Sequence, residues 1–192
     1  MKAVLISIKP QWAKLIAEGK KTVEVRKTKP KLDVPFKCYI YCTDAKGQAF
    51  FTKGENGNYA PARMGNRKII GEFICDEIYH IKNYDTRFSI NNDERLTNGV
   101  ARASCLNFDD MKNYLKDKDG YAWHITDLVI YDKPKELSEF QPVCKYNMDS
   151  ECVYWDDCKH KAITTDWGYA ANMCNKKITR PPQSWAYCEL GV

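Results

Sequence analysis

The chain has 192 residues, 44% hydrophobic and 29% charged, a mix that excludes a disordered or low-complexity polypeptide and fits a globular fold. Thirty Lys and Arg against 25 Asp and Glu leave a net charge of +5, which suits a polyanionic partner without demanding one. No apolar run approaches the roughly 20 residues a bilayer-spanning helix needs, and Val4–Ile8 is too short for a signal-peptide core. The expectation is a cytoplasmic protein with no membrane partner, built as a single domain over 1–192 with an insertion. Nine Cys in a reducing compartment argue for free thiols, metal ligation or both, not for a disulfide scaffold.

Ala3–Ile8 reads as a first strand. Pro10 suits a helix start, where its missing N–H costs nothing, and the helix runs to about Glu18 with Trp12, Leu15 and Ile16 as its apolar stripe. Gly19 ends it, because a left-handed C-terminal position favours a residue without Cβ. In the strand that follows, Thr22, Glu24 and Arg26 point one way and Val23 and Val25 the other. One turn and strand thus deliver the Lys21 amine, the Glu24 carboxylate and the Arg26 guanidinium to one small region. A solvated face with a weak surface pair is the competing reading.

Lys27–Pro35 is a basic, Pro-containing connection. Val34–Thr43 is a strand with Cys38, Ile40 and Cys42 on one face and Tyr39 and Tyr41 on the other. Asp44–Asn66 is a long loop with a short hairpin around Phe50 and Phe51. Lys68–Ile81 reads as one long strand, and Asn83–Ser104 as polar and irregular. Asn107 or Asp109 caps a helix through Met111, Tyr114 and Leu115. Tyr121–Asp132 is a strand stopped by Pro134, a short turn spans Glu136–Phe140, and Ser184–Cys188 is the last strand.

Ser7-Ile8-Lys9-Pro10, then Trp12, then Gly19-x-Lys21-x-x-Glu24-x-Arg26 resembles the signature of the ASCH domain, a member of the PUA-like superfamily. Ile70-Gly71-Glu72-Phe73 resembles a later strand of that family. Gly120–Ile125 and Arg180–Trp185 resemble the C-terminal part of a phage and bacterial branch. The resemblance covers about 1–140 and 178–192. It implies an α+β fold: a small, mixed PUA-like β-barrel with flanking helices, here carrying a C-terminal Cys-rich insertion.

That insertion, 141–178, holds Cys144, Cys152, Cys158 and Cys174 in a stretch of poor periodicity. Little apolar surface is available there, so a structural zinc ion held by these four thiolates would stabilise it, with His160 as the alternative fourth ligand. Unligated thiols are the other reading. Cys75, Cys105 and Cys188 read as isolated buried thiols.

Two function classes follow. The resemblance implies RNA as ligand: a nucleic-acid or modified-nucleotide site would draw on Lys9, Lys21, Glu24 and Arg26, with Lys27 and Lys29 for phosphates and Trp123, His124 or Tyr121 stacking on a base. Trp123 reads as a core residue more readily than as a stacking platform, and a lone His124 as a structural one. The second class is an amidohydrolase acting on N4-acylated cytidine nucleosides, as the resemblance implies for some relatives. Lys21 would be nucleophile or base, with Glu24 as a second catalytic group and Glu72 the nearest further carboxylate. Glu24 stands where those hydrolases have threonine. Ion pairing with Lys21 would oppose nucleophilic use of the amine. A ribonuclease would need an acid/base pair or a metal cluster, for which the chain offers His80, His124, His160 and scattered carboxylates.

Overall fold

A computed structural model describes residues 2–52, 63–84, 87–143, 161–162, 173–174 and 176–190. The elements are β1 (Ala3–Ile8), α1 (Pro10–Ala17), β2 (Val23–Arg26), β3 (Phe36–Cys42), β4 (Phe51–Thr52), β5 (Arg63–Met64), β6 (Lys68–Cys75), β7 (Ile78–Tyr84) and β8 (Arg87–Ser89). They continue with α2 (Glu94–Ser104), α3 (Phe108–Leu115), β9 (Gly120–His124), β10 (Thr126–Lys135), a 3-10 turn (Leu137–Glu139), β11 (Phe140–Pro142), β12 (Lys161–Ala162), β13 (Met173–Cys174) and β14 (Trp185–Leu190).

Two sheets carry the architecture. The larger runs β10-β6-β3-β1-β14-β11, with β1 and β3 parallel and the other pairs antiparallel. The smaller runs β2-β9-β7-β8 and is antiparallel throughout. Each sheet ends in two edge strands. The α+β expectation holds, whereas the two sheets do not close into a barrel among the described residues.

Three apolar clusters follow from strand alternation. Val4, Ile6 and Ile8 of β1, Cys38, Ile40 and Cys42 of β3, Trp123 of β9 and Ile16 of α1 form the core between the sheets. Val23, Val25 and Ala122 turn to the other face of the small sheet and pack against Val100 of α2 and Met111 and Leu115 of α3. Leu5, Tyr39, Tyr41, Ile69 and Phe140 cover the outer face of the large sheet.

The expected long strand over Lys68–Ile81 is two strands, β6 and β7, separated at Asp76 and Glu77 and lying in different sheets. The single strand expected over Tyr121–Asp132 likewise divides into β9 and β10, and Asp127 adopts a positive φ of 47° just after the break. Pro134 does not stop β10, which extends to Lys135. As the outermost strand of its sheet, β10 tolerates a residue without an N–H. The stretch read as irregular before Ser104 contains β8 and an eleven-residue helix, α2, capped by the Asp93 carboxylate accepting from the Leu96 N–H at 3.0 Å.

Candidate functional site

The cluster begins at the end of α1. The Lys20 N–H donates to the Leu15 carbonyl at 2.9 Å and the Gly19 N–H to Ile16 at 2.9 Å, with Gly19 at φ 69°. This left-handed closure is what a glycine permits cheaply. The Lys21 N–H then also donates to Leu15, at 3.0 Å, which turns the Lys21 side chain inward. The Thr22 N–H bonds the Ala103 carbonyl of α2, and the Ile125 N–H bonds the Thr22 carbonyl. β2 is thereby held between α2 and β9.

On β2, Glu24 lies opposite Trp123 and Arg26 opposite Tyr121, so both charged side chains enter the space between the two sheets. Lys21, Glu24 and Arg26 are only 2%, 7% and 6% exposed. Lys21 Nζ donates to the Ser104 carbonyl at 2.6 Å and stands 3.2 Å from Glu24 Oε2. Arg26 Nη2 stands 3.0 Å from Glu24 Oε1 and donates to the Ser7 carbonyl at 2.6 Å. Glu24 thus bridges two cations, and the trio carries one net positive charge. This geometry replaces the solvated-face alternative, because two cations and a carboxylate removed from water persist only when mutually paired and hydrogen-bonded.

The surroundings extend the network. Ser7 Oγ donates to the Pro182 carbonyl at 2.6 Å, which ties the segment before β14 to the same corner. Burial pushes the Tyr114 phenol up from its usual value. The hydrogen-bonded Arg26 guanidinium opposes this rise and the Glu24 carboxylate adds to it, so α3 also reaches the cluster. Arg26 Nε and Trp123 Nε1 are buried donors without an acceptor among the described residues.

Aromatic rings and further cations line this side of the molecule. The Trp12 ring centroid is 5.4 Å from Lys21 Nζ, and Trp185 lies 6.0 Å from Trp123. The Trp185 indole N–H donates to Thr28 Oγ1 at 3.1 Å, and the Lys31 N–H donates to the Tyr187 hydroxyl at 2.7 Å. These two bonds hold the basic connection after β2 along the aromatic residues of β14. Lys29 Nζ sits 5.8 Å from the Tyr121 ring and Lys2 Nζ 4.0 Å from the Tyr187 ring. Trp12, Tyr121, Trp185 and Tyr187 all keep part of their surface open.

The expected site residues separate into groups. Lys21, Glu24 and Arg26 come together. Lys9 is exposed at the start of α1, where its carbonyl accepts the Trp12 N–H at 3.0 Å. Trp123 is fully buried, edge-on to Phe36 at 5.9 Å, and offers no open ring face. His124 sits opposite Val23 in the ladder and so on the other face of the small sheet, with Nδ1 2.7 Å from Asp76 Oδ1. Glu72 lies opposite Tyr39, on the outer face of the large sheet, where it accepts from Lys37 at 2.6 Å and from the Tyr131 hydroxyl. It is therefore no partner of Lys21. Cys144, Cys152, Cys158 and His160 lie outside the described residues, and Cys174 is described only as β13 backbone opposite Lys161. Burial raises the Cys38 thiol well above its usual value and pushes Cys42, Cys75 and Cys188 up to about 12, so these thiols are core groups rather than nucleophiles.

The family model for the ASCH domain matches residues 6–89, a span that contains β1, α1 and the whole cluster strand. Residues 6–89 thus resemble an ASCH domain. A crystal structure of a mutant ASCH protein from Zymomonas mobilis superimposes with a TM-score of 0.52 at 18% identity, covering 96% of this chain and 87% of that one. At this identity the likeness speaks for the fold. Another crystal structure of ASCH from Zymomonas mobilis gives a TM-score of 0.48 at 20% identity, covering 70% of this chain and 73% of that one. No curated protein matches the chain. Among the described residues, no helix is long and apolar enough to cross a membrane.

Sequence reasoning missed Ser104 and Tyr114 as neighbours of this cluster, whereas Trp12, read as part of the apolar stripe of α1, does pack against the core. Ser104 contributes a main-chain oxygen, for which no side-chain signal exists.

Proposed function

We propose that this ASCH-like domain binds RNA or a modified nucleotide through the cations and partly open rings around the cluster. Lys21, Glu24 and Arg26 form the floor, and the rim of Trp12, Tyr121, Trp185, Lys9 and Lys29 forms the approach. The observation that carries this reading is the interleaving of cations and partly open rings beside a fixed cation–carboxylate–cation cluster. Phosphates need the first, bases stack on the second, and both terms are sequence-tolerant. The Arg26 Nε donor suits a base carbonyl or phosphate oxygen.

Lys21 acts here as a fixed cation. Its Nζ donates to the Ser104 carbonyl and pairs with Glu24, so the nitrogen is committed to two protein partners rather than free for attack. Nucleophilic attack on an N4-acylated cytidine would require the Lys21 nitrogen to leave both of these partners. Binding without turnover is therefore the preferred reading, and the amidohydrolase is its alternative.

Two assays separate them. Fluorescence anisotropy with labelled single-stranded RNA should show a salt-sensitive complex that Arg26→Ala weakens. Ultraviolet monitoring of N4-acetylcytidine should show no change. Hydrolysis that disappears in Lys21→Ala would establish the enzyme instead.

A further inference from the structure

We propose that the cavity behind the small sheet is a binding site for a small aromatic monocarboxylate. The cavity has a volume of about 320 Å³ and lies between β7, β8, α2 and α3. That size falls within the range of small-molecule sites. It is on the Val23 and Val25 side of the small sheet, away from the side that Glu24 and Arg26 face, so it stands independently of the RNA reading.

The lining sets the guest's chemistry. Ile81, Phe88, Ile90, Val100 and Met111 form a floor in which each residue is under a tenth exposed. Phe88 and Phe108 tilt against each other at 47° with centroids 5.3 Å apart, offering an edge and a face to an incoming ring. The Met111 thioether adds a soft contact that favours aromatic guests. At the mouth, Arg87 is exposed and is the one charged side chain among the lining residues, its guanidinium 5.8 Å from the Tyr84 ring.

Two of the other polar lining residues are committed. Asn107 accepts from the Asp110 N–H at 2.8 Å while Asp110 accepts from the Asn107 N–H at 3.4 Å. The Thr97 hydroxyl donates to the Asp93 carbonyl at 2.6 Å and accepts from the Ile90 N–H at 2.9 Å. Asn98 adds a neutral amide to the lining, and Arg87 is the one lining group that can fix a charged polar end of a guest. A carboxylate matches a guanidinium with two parallel hydrogen bonds. A dianionic phosphate would bring a second charge towards Asp109 and Asp110 at the start of α3.

The test uses the full chain with 13C-labelled methionine methyl groups, titrated with hydrocinnamate and with the neutral hydrocinnamyl alcohol. The Met111 resonance, assigned with Met111→Leu, should shift saturably with the acid while the exposed Met64 stays put. The alcohol should bind about fivefold or more weakly, and Arg87→Ala should weaken the acid to the same degree. Ala101→Phe should fill the space and remove the shift. No saturable shift would overturn the site. Equal binding of acid and alcohol, or an unchanged affinity in Arg87→Ala, would overturn the carboxylate assignment.

Discussion

Lys21 Nζ and the Ser104 main-chain oxygen stand 2.6 Å apart, although 83 positions separate the two residues in the chain. This bond joins the family motif to the end of α2. Lys21→Met should remove it and leave both the carbonyl and a Glu24 oxygen short of a donor, lowering stability by about 2–4 kcal/mol. Urea unfolding should show a lower midpoint with an unchanged slope.

Glu24→Gln tests the bridge from its centre. Two cations would remain buried without their shared carboxylate, and the expected loss is again about 2–4 kcal/mol. Because Lys21 and Glu24 are in contact, the double variant should lose less than the sum of the single losses. A strictly additive cycle would show that the two charges do not act together.

Glu72 predicts a pH dependence. Burial raises its carboxyl, but hydrogen bonds from Lys37 and Tyr131 outweigh this and hold it below the usual carboxylate value. A group depressed in the folded state stabilises the fold above its unfolded value of about 4.3, and that stabilisation fades as pH falls through the folded value. Thermal midpoints measured from neutral pH down to about pH 3 should fall less steeply in Glu72→Gln than in the wild type. Lys37 runs oppositely: Glu72 raises it, so its contribution is present below about 10.4 and fades as pH rises through its folded value.

Gly71 marks where the large sheet tolerates no side chain. A Cβ there would lie 2.3 Å from the Val129 carbonyl oxygen on β10. Gly71→Ala should force β6 and β10 apart and lower stability by about 2–4 kcal/mol, read as a drop in thermal midpoint.

The elements nearest the motif were legible in the sequence. Ala3–Ile8, Pro10 at the helix start, Gly19 at its end, and the split of Glu24 and Arg26 from Val23 and Val25 all follow from local chemistry that the fold leaves intact. The faces of β3 were equally readable, with Cys38, Ile40 and Cys42 inward and Tyr39 and Tyr41 outward. α2 was not, because it buries only Val100 and Ser104 and carries Asn98 and Gly99 at its centre, so its apolar stripe is too thin to announce a helix. The breaks between β6 and β7 and between β9 and β10 were hidden because uninterrupted β-rich sequence does not reveal where a chain changes sheets. Burial of the whole Lys21–Glu24–Arg26 cluster was also beyond sequence, since it depends on Ser7, Ser104 and Tyr114 arriving from three other elements.

The central claim is that the cations and partly open rings around this cluster hold RNA or a nucleotide. The most direct measurement is the affinity of the full chain for labelled single-stranded RNA as a function of salt, in the wild type, in Arg26→Lys and in Lys29→Ala. The account predicts affinity that falls with rising salt, a loss of about tenfold in Arg26→Lys because lysine cannot span Glu24 and Ser7 together, and a shallower salt slope in Lys29→Ala. Absence of binding at low salt, or equal affinity and slope in all three folded proteins, would contradict it.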